Sequence, residues 1–152
     1  SLNVKPNYNN DLELIENLKN LFKQLEQIKI KNIINDKTKN IIKDTKVNNF
    51  ILRYQILNDL PSKELRNIVD QGKKEIKEGI VIAFSNFEEK IVVAVGITSK
   101  LIDKYDAVTF VKEAAEILGG KGGGGRKDFA QAGGISKEKI EEAYKALKKK
   151  IN

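Results

Sequence analysis

The 152-residue sequence contains no cysteine, histidine, methionine or tryptophan. With neither thiol nor imidazole it can form no disulfide, no Cys/His zinc site, no cysteine nucleophile and no histidine general base, so most hydrolase and metalloenzyme constellations are excluded. Carboxylates, Lys, Tyr, Ser and Thr are what remains for chemistry. No apolar run reaches the roughly 18 residues of a membrane span, and Ser1 to Asn10 lacks the apolar core of a signal peptide. The expectation is a soluble, cytoplasmic protein. What is present is a hydrophobic fraction of 40%, enough for a sizeable core in one domain with a small appendage. Ile and Asn are abundant beside Lys, a bias of AT-rich coding, so individual Lys and Asn residues carry little weight.

Hydrophobic spacing predicts an α+β fold: an N-terminal helical hairpin or coiled-coil segment over residues 1–46, then a compact α/β sandwich over 47–152 with a mixed β-sheet. In the first part, Asn10 and Glu13 have the spacing of a capping box. Leu14, Leu18, Leu21, Leu25 and Ile28 then repeat at four and three residues, an a/d seam about two heptads long. Such a seam suits a homodimer, and it equally suits a face packed on the adjacent domain. Ile41 and Ile42 are read as part of a second, shorter helix. Beyond Val47, Phe50 to Leu57 has strand composition, and Pro61 opens a helix from about Ser62 that Gly79 ends. Two apolar runs, Ile80 to Ser85 and Ile91 to Ile97, are predicted as central strands joined by a short link. Asp106 to Leu118 is an amphipathic helix closed by Gly119 and Gly120, and Ser136 opens a terminal helix.

Between those helices runs Gly-Gly-Lys-Gly-Gly-Gly-Gly-Arg-Lys-Asp-Phe-Ala-Gln-Ala-Gly-Gly, residues 119–134, which holds eight of the chain's 11 glycines. A flexible linker would be featureless, whereas this segment sets a basic, acidic, aromatic and amide string between its glycine blocks. Without Cβ atoms, backbone N–H groups can converge on a phosphate, with charge from Lys121, Arg126 and Lys127. The pattern is neither a P-loop nor G-x-G-x-x-G. The chain carries net +7, of which residues 1–46 supply +3, residues 47–118 supply −1 and residues 119–152 supply +5. Lysines at the end of the last helix also complement its dipole, but that does not explain Lys121, Arg126 and Lys127. A basic, backbone-rich loop of this kind contacts phosphates and shape more than base edges.

This string closely resembles the glycine-rich signature at the C-terminus of alanyl-tRNA synthetases, usually Gly-Gly-x-Gly-Gly-Gly-Arg-Pro-Asp-Met-Ala-Gln-x-Gly-Gly. Lys127 stands where Pro is usual, Phe129 where Met is usual, and the block Gly122 to Gly125 has one glycine more. Lys63-Glu64-Leu65-Arg66 and Val95-Gly96-Ile97-Thr98 continue the resemblance outward. Related glycine-rich domains accompany DHH-family phosphoesterases, where such a domain would bind a nucleotide. The resemblance implies a C-terminal piece of a larger alanine–tRNA ligase, itself without catalytic residues or bound metal. ATP, Mg and zinc would be handled by upstream catalytic and editing domains. It further implies binding of tRNA(Ala) at its outer corner, with self-association through the helical part. On it, Lys121, Arg126 and Lys127 are candidate phosphate contacts and Gly122, Gly123, Gly124 and Gly125 permit close backbone approach. Gln131 is a candidate contact to base or sugar, or a partner within the loop. Asp128 is expected to organise the loop by accepting its N–H groups, and Phe129 to anchor it in the core.

Overall fold

A computed structural model describes residues 8–151, and the chain divides into two units between Asn35 and Asp36. The first is a single helix, α1 (Tyr8–Ile34). Its seam residues Leu14, Leu18, Leu21, Leu25 and Ile28 are 45–59% exposed. Asn10 lies inside this helix instead of capping it, because Tyr8 and Asn9 are already helical. Extending an existing helix upstream costs little once the first turn is made.

Ile41 and Ile42 belong to no second helix. They open β1 (Ile41–Val47), which pairs antiparallel with β2 (Phe50–Asn58) from Ile41↔Ile56 to Val47↔Phe50. β-Branched residues at 41, 42, 45 and 47 lose rotamer freedom in a helix and none of that penalty applies in a sheet. The turn that leads into β1 is made locally: the Asp36 carboxylate accepts from Thr38 N–H at 3.0 Å, and the Asp36 carbonyl from Asn40 N–H at 3.0 Å. Asn48, at φ 53°, forms the tight turn into β2.

The second unit is a six-stranded sheet of order β1-β2-β3-β4-β6-β5. β3 (Gly79–Phe87) runs parallel to β2, so the chain must cross over between them, and α2 (Leu65–Ile76) is that crossover. The helix stops at Lys77, whose φ of 65° breaks the α geometry, and Gly79 instead opens β3. β4 (Lys90–Ile97) returns antiparallel through Glu88 and Glu89, both at positive φ. α3 (Ala107–Ile117) starts at Asp106, whose carboxylate accepts from Val108 N–H at 2.9 Å. After the glycine-rich segment, which contributes β5 (Gly124–Gly125) and β6 (Phe129–Gly134), α4 (Ile140–Ile151) ends the fold.

Strand alternation divides the sheet into two faces. Ile82, Val93, Val95, Ala130 and Ala132 point to one side, where they form a core with Phe110 and Val111 of α3 and Leu147 of α4. Tyr105 Oη donates to the Ile151 carbonyl at 2.9 Å and ties down the end of α4. On the other side α2 lies over β3 and β4, with Val69 seated on Gly96. Arg53 of β2 locks β1 to α2. Its guanidinium is bidentate to Asp44, with Nε and Nη2 at 2.8 and 2.9 Å, and its Nη1 donates to Glu75.

The Arg53 side chain is 11% exposed while both carboxylates are nearly half exposed, so screening limits what the network contributes. Arg53→Met is expected to cost about 1–3 kcal/mol at neutral pH, read by urea denaturation. The hydrogen bonds from Arg53 first, then Gln71, hold the Glu75 carboxyl below its ordinary value of 4.5. A depressed carboxyl stabilises above its unfolded pKa and loses that contribution as pH falls through the folded one. The difference between native and variant chains should therefore be full at pH 7 and shrink below pH 4.5.

Candidate nucleic-acid interface

Helix α3 ends in a Schellman motif. Gly119, at φ 76°, donates its N–H to the Glu116 carbonyl at 3.3 Å, and Gly120 N–H donates to Ala115 at 2.8 Å. The chain then runs back along β6 as an antiparallel hairpin with Gly124↔Gln131 and Gly125↔Ala130 in register. At Gly125, φ is 148° and a Cβ would stand 2.4 Å from the Phe129 carbonyl, so only glycine fits. Arg126 N–H donates to the Phe129 carbonyl at 2.7 Å and Phe129 N–H to that of Arg126 at 3.2 Å, closing a two-residue turn on Lys127 and Asp128. Neither of those residues has positive φ, which is the arrangement of a type I turn.

The turn is tethered through its main chain. The Lys127 carbonyl accepts from Ala107 N–H at the start of α3 at 3.0 Å. The Asp128 carbonyl accepts from Ile97 N–H at 2.8 Å and from Lys73 Nζ of α2 at 3.4 Å. These bonds fix the turn, and the pairing of Gly124 with Gln131 and Gly125 with Ala130 sets the register of the glycine block behind it. The Asp128 carboxylate meets the Arg126 guanidinium, Nε to Oδ1 at 3.4 Å.

Phe129, Gln131 and Gly133 pair with Gly96, Ala94 and Val92 and thus share the face that carries α2. Because α2 lies over β3 and β4, the hairpin beside it keeps Gln131 and Gly133 exposed. The result is an open groove of about 710 Å³. Gly124, Gly125, Phe129 and Gln131 line its hairpin side, with Arg126 at the turn, and Ser62, Lys63 and Arg66 line the α2 side. Its three charged lining residues are all cations. The Arg66 guanidinium stands 5.0 Å over the Phe129 ring, with Nε 3.9 Å from Asp70. A groove of similar volume between α3 and α4 is lined by four glutamates as well as three lysines, a poor match for a polyanion.

Of the residues singled out from sequence, Gly124, Gly125, Arg126, Phe129 and Gln131 meet in the groove. Lys121, Gly122, Gly123 and Lys127 are exposed on the same segment but do not line it. Lys63 and Arg66 were missed. Lys63 lies in the short 3-10 turn Ser62–Glu64 that leads into α2 and Arg66 in the first turn of α2, and only the packing of α2 on β4 brings them beside the hairpin.

Lys127 occupies the i+1 position of the turn, where the fixed φ of proline is preferred. Lys127→Pro is expected to raise stability by about 0.4–1 kcal/mol, seen as a higher thermal midpoint.

Residues 48–152 match the DHHA1 domain family. The alanine–tRNA ligase of Parvibaculum lavamentivorans is 46% identical over 87 residues, 57% of this chain and 10% of that protein. That of Thermotoga petrophila is 44% identical over 94 residues, 62% of this chain and 11% of that protein. The chain thus spans about a tenth of the length of these curated relatives. The solved C-Ala domain from Aquifex aeolicus alanyl-tRNA synthetase is 35% identical, covers 72% of this chain and 97% of its own, and superposes with a TM-score of 0.67. With the match running from the β1–β2 turn through the sheet to the last helix, the chain belongs to the DHHA1 domain family and is homologous to the C-Ala domain of alanyl-tRNA synthetase.

Proposed function

We propose that the chain is the tRNA-binding C-terminal region of a cytoplasmic alanyl-tRNA synthetase. In this reading it engages the outer corner of tRNA(Ala), while upstream domains carry out aminoacylation and editing with ATP, Mg and zinc. The observation that carries it is Gly124. Its φ is not positive, and a Cβ placed on it would meet nothing within 4 Å. The fold therefore has no need of a glycine there, yet the position lines the groove ringed by Lys63, Arg66 and Arg126. A bare backbone among cations suits close approach of a sugar-phosphate chain.

Gly124→Val should fold as the native chain does, since valine suits a strand and the space is free. It should lower affinity for an alanine-tRNA transcript by about tenfold, a loss of roughly 1.4 kcal/mol. Three to five phosphate contacts give a log–log salt slope of roughly −2 to −5, and Arg66→Ala/Arg126→Ala should reduce its magnitude by about 1.4–1.8. Native affinity and slope in both variants would remove the groove from the interface.

Self-association is a second reading, favoured by the exposed seam of α1. Leu14, Leu18, Leu21, Leu25 and Ile28 are large apolar side chains at a/d spacing, and each is about half exposed. Sedimentation equilibrium should show a concentration-dependent dimer that Leu18→Glu/Leu25→Glu converts to monomer. A native chain that stays monomeric at high concentration would exclude this reading.

A further inference from the structure

We infer that Phe129 is a positioning residue for Arg66, and that the pair acts as one unit in gripping RNA. The inference rests on the groove being the RNA site. Phe129 is 8% exposed, so its ring is fixed in the sheet, while the Arg66 side chain is 57% exposed and lies with Cζ 5.0 Å above that ring. Asp70, one turn along α2, stands 3.9 Å from Nε. The ring below and the carboxylate at the Nε side restrict the guanidinium in two directions. The terminal nitrogens are left for a ligand in the groove that Arg66 lines.

An exposed arginine otherwise samples many rotamers, and ordering it on binding reduces the affinity gained from its contacts. A guanidinium already held over an aromatic face has lost part of that freedom in the free protein. The ring is rigid and presents a negative face, whereas an aliphatic or thioether side chain of similar volume offers contact without orientation. The aromatic residue at position 129, where the signature of the family usually has methionine, is what supplies this hold.

The test compares the full chain with Phe129→Met, Arg66→Ala and the double variant, using an alanine-tRNA transcript at several salt concentrations. Phe129→Met nearly conserves volume, and a thermal melt confirms that it folds. Arg66→Ala should lower the magnitude of the salt slope by about 0.7–0.9. Phe129→Met should move the slope toward that value and weaken binding about two- to fivefold, although every phosphate-contacting cation is still present. The double variant should bind no more weakly than Arg66→Ala alone. Phe129→Trp, which keeps an aromatic face, should restore the slope. In the free protein, the Arg66 Nε–H resonance should carry an upfield ring-current shift that disappears in Phe129→Met. A native slope in Phe129→Met, losses that simply add to those of Arg66→Ala, or no ring-current shift would each overturn the inference. If Gly124→Val and Arg126→Ala also bind as the native chain does, the RNA reading of the groove fails as well. The ring-current shift separates the two failures, because it reports on the Arg66–Phe129 contact without RNA.

Discussion

Two main-chain carbonyls, those of Lys127 and Asp128, hold the glycine-rich segment to the rest of the molecule. They reach the first N–H of α3 and the last residue of β4, and Lys73 of α2 adds a third donor. Donors from three elements thus converge on a turn whose own side chains are exposed. A segment this rich in glycine would lose the most entropy of any on ordering. Fixing both carbonyls of its turn, and pairing its strands behind, offsets that loss where rigidity is needed to form one wall of a groove.

The distribution of charge along the chain is a poor guide to charge in space. Residues 119–152 carry net +5, yet from that stretch only Arg126 lines the groove as a cation. Its partners Lys63 and Arg66 come from a stretch whose net charge is −1. Many of the C-terminal lysines lie on α4 beside glutamates, and Lys150 pairs with Glu113 of α3 at 2.6 Å. What distinguishes the groove is that its cations have no acidic neighbour in the lining. Arg126 and Arg66 each have one carboxylate close in sequence, Asp128 at 3.4 Å and Asp70 at 3.9 Å, and neither of these lines the groove.

Much of the fold was legible because apolar periodicity and glycine stops are local. β3, β4, α3 and its Gly119 cap follow from patterns within a dozen residues. Ile41 and Ile42 were misread because a short stretch with two apolar residues suits either helix or strand, and the choice was made by β2, which offered seven residues of pairing. The hairpin residues of the groove could be found from the glycine string alone. The α2 wall could not, since Lys63 and Arg66 look like any solvated helix start until Val69 is placed on Gly96. Nor does the string distinguish glycines the fold requires, such as Gly125, from Gly124, which it does not.

The base of the glycine-rich segment has its own geometry. The Leu118 carbonyl accepts from both Ile135 N–H and Ser136 N–H, each at 2.9 Å, so the residue that ends α3 also receives the chain as it returns from β6. Both ends of residues 119–134 are therefore held at one residue, while the span between them is held through β6 and the turn at Lys127 and Asp128. Within the glycine block, Gly123 and Gly125 lie close against β6, where a Cβ would stand 2.5 Å from Ala132 and 2.4 Å from the Phe129 carbonyl. α3 thus grips the segment from both of its own ends, at the turn through Ala107 and at the base through Leu118, so that helix and hairpin are coupled as one body.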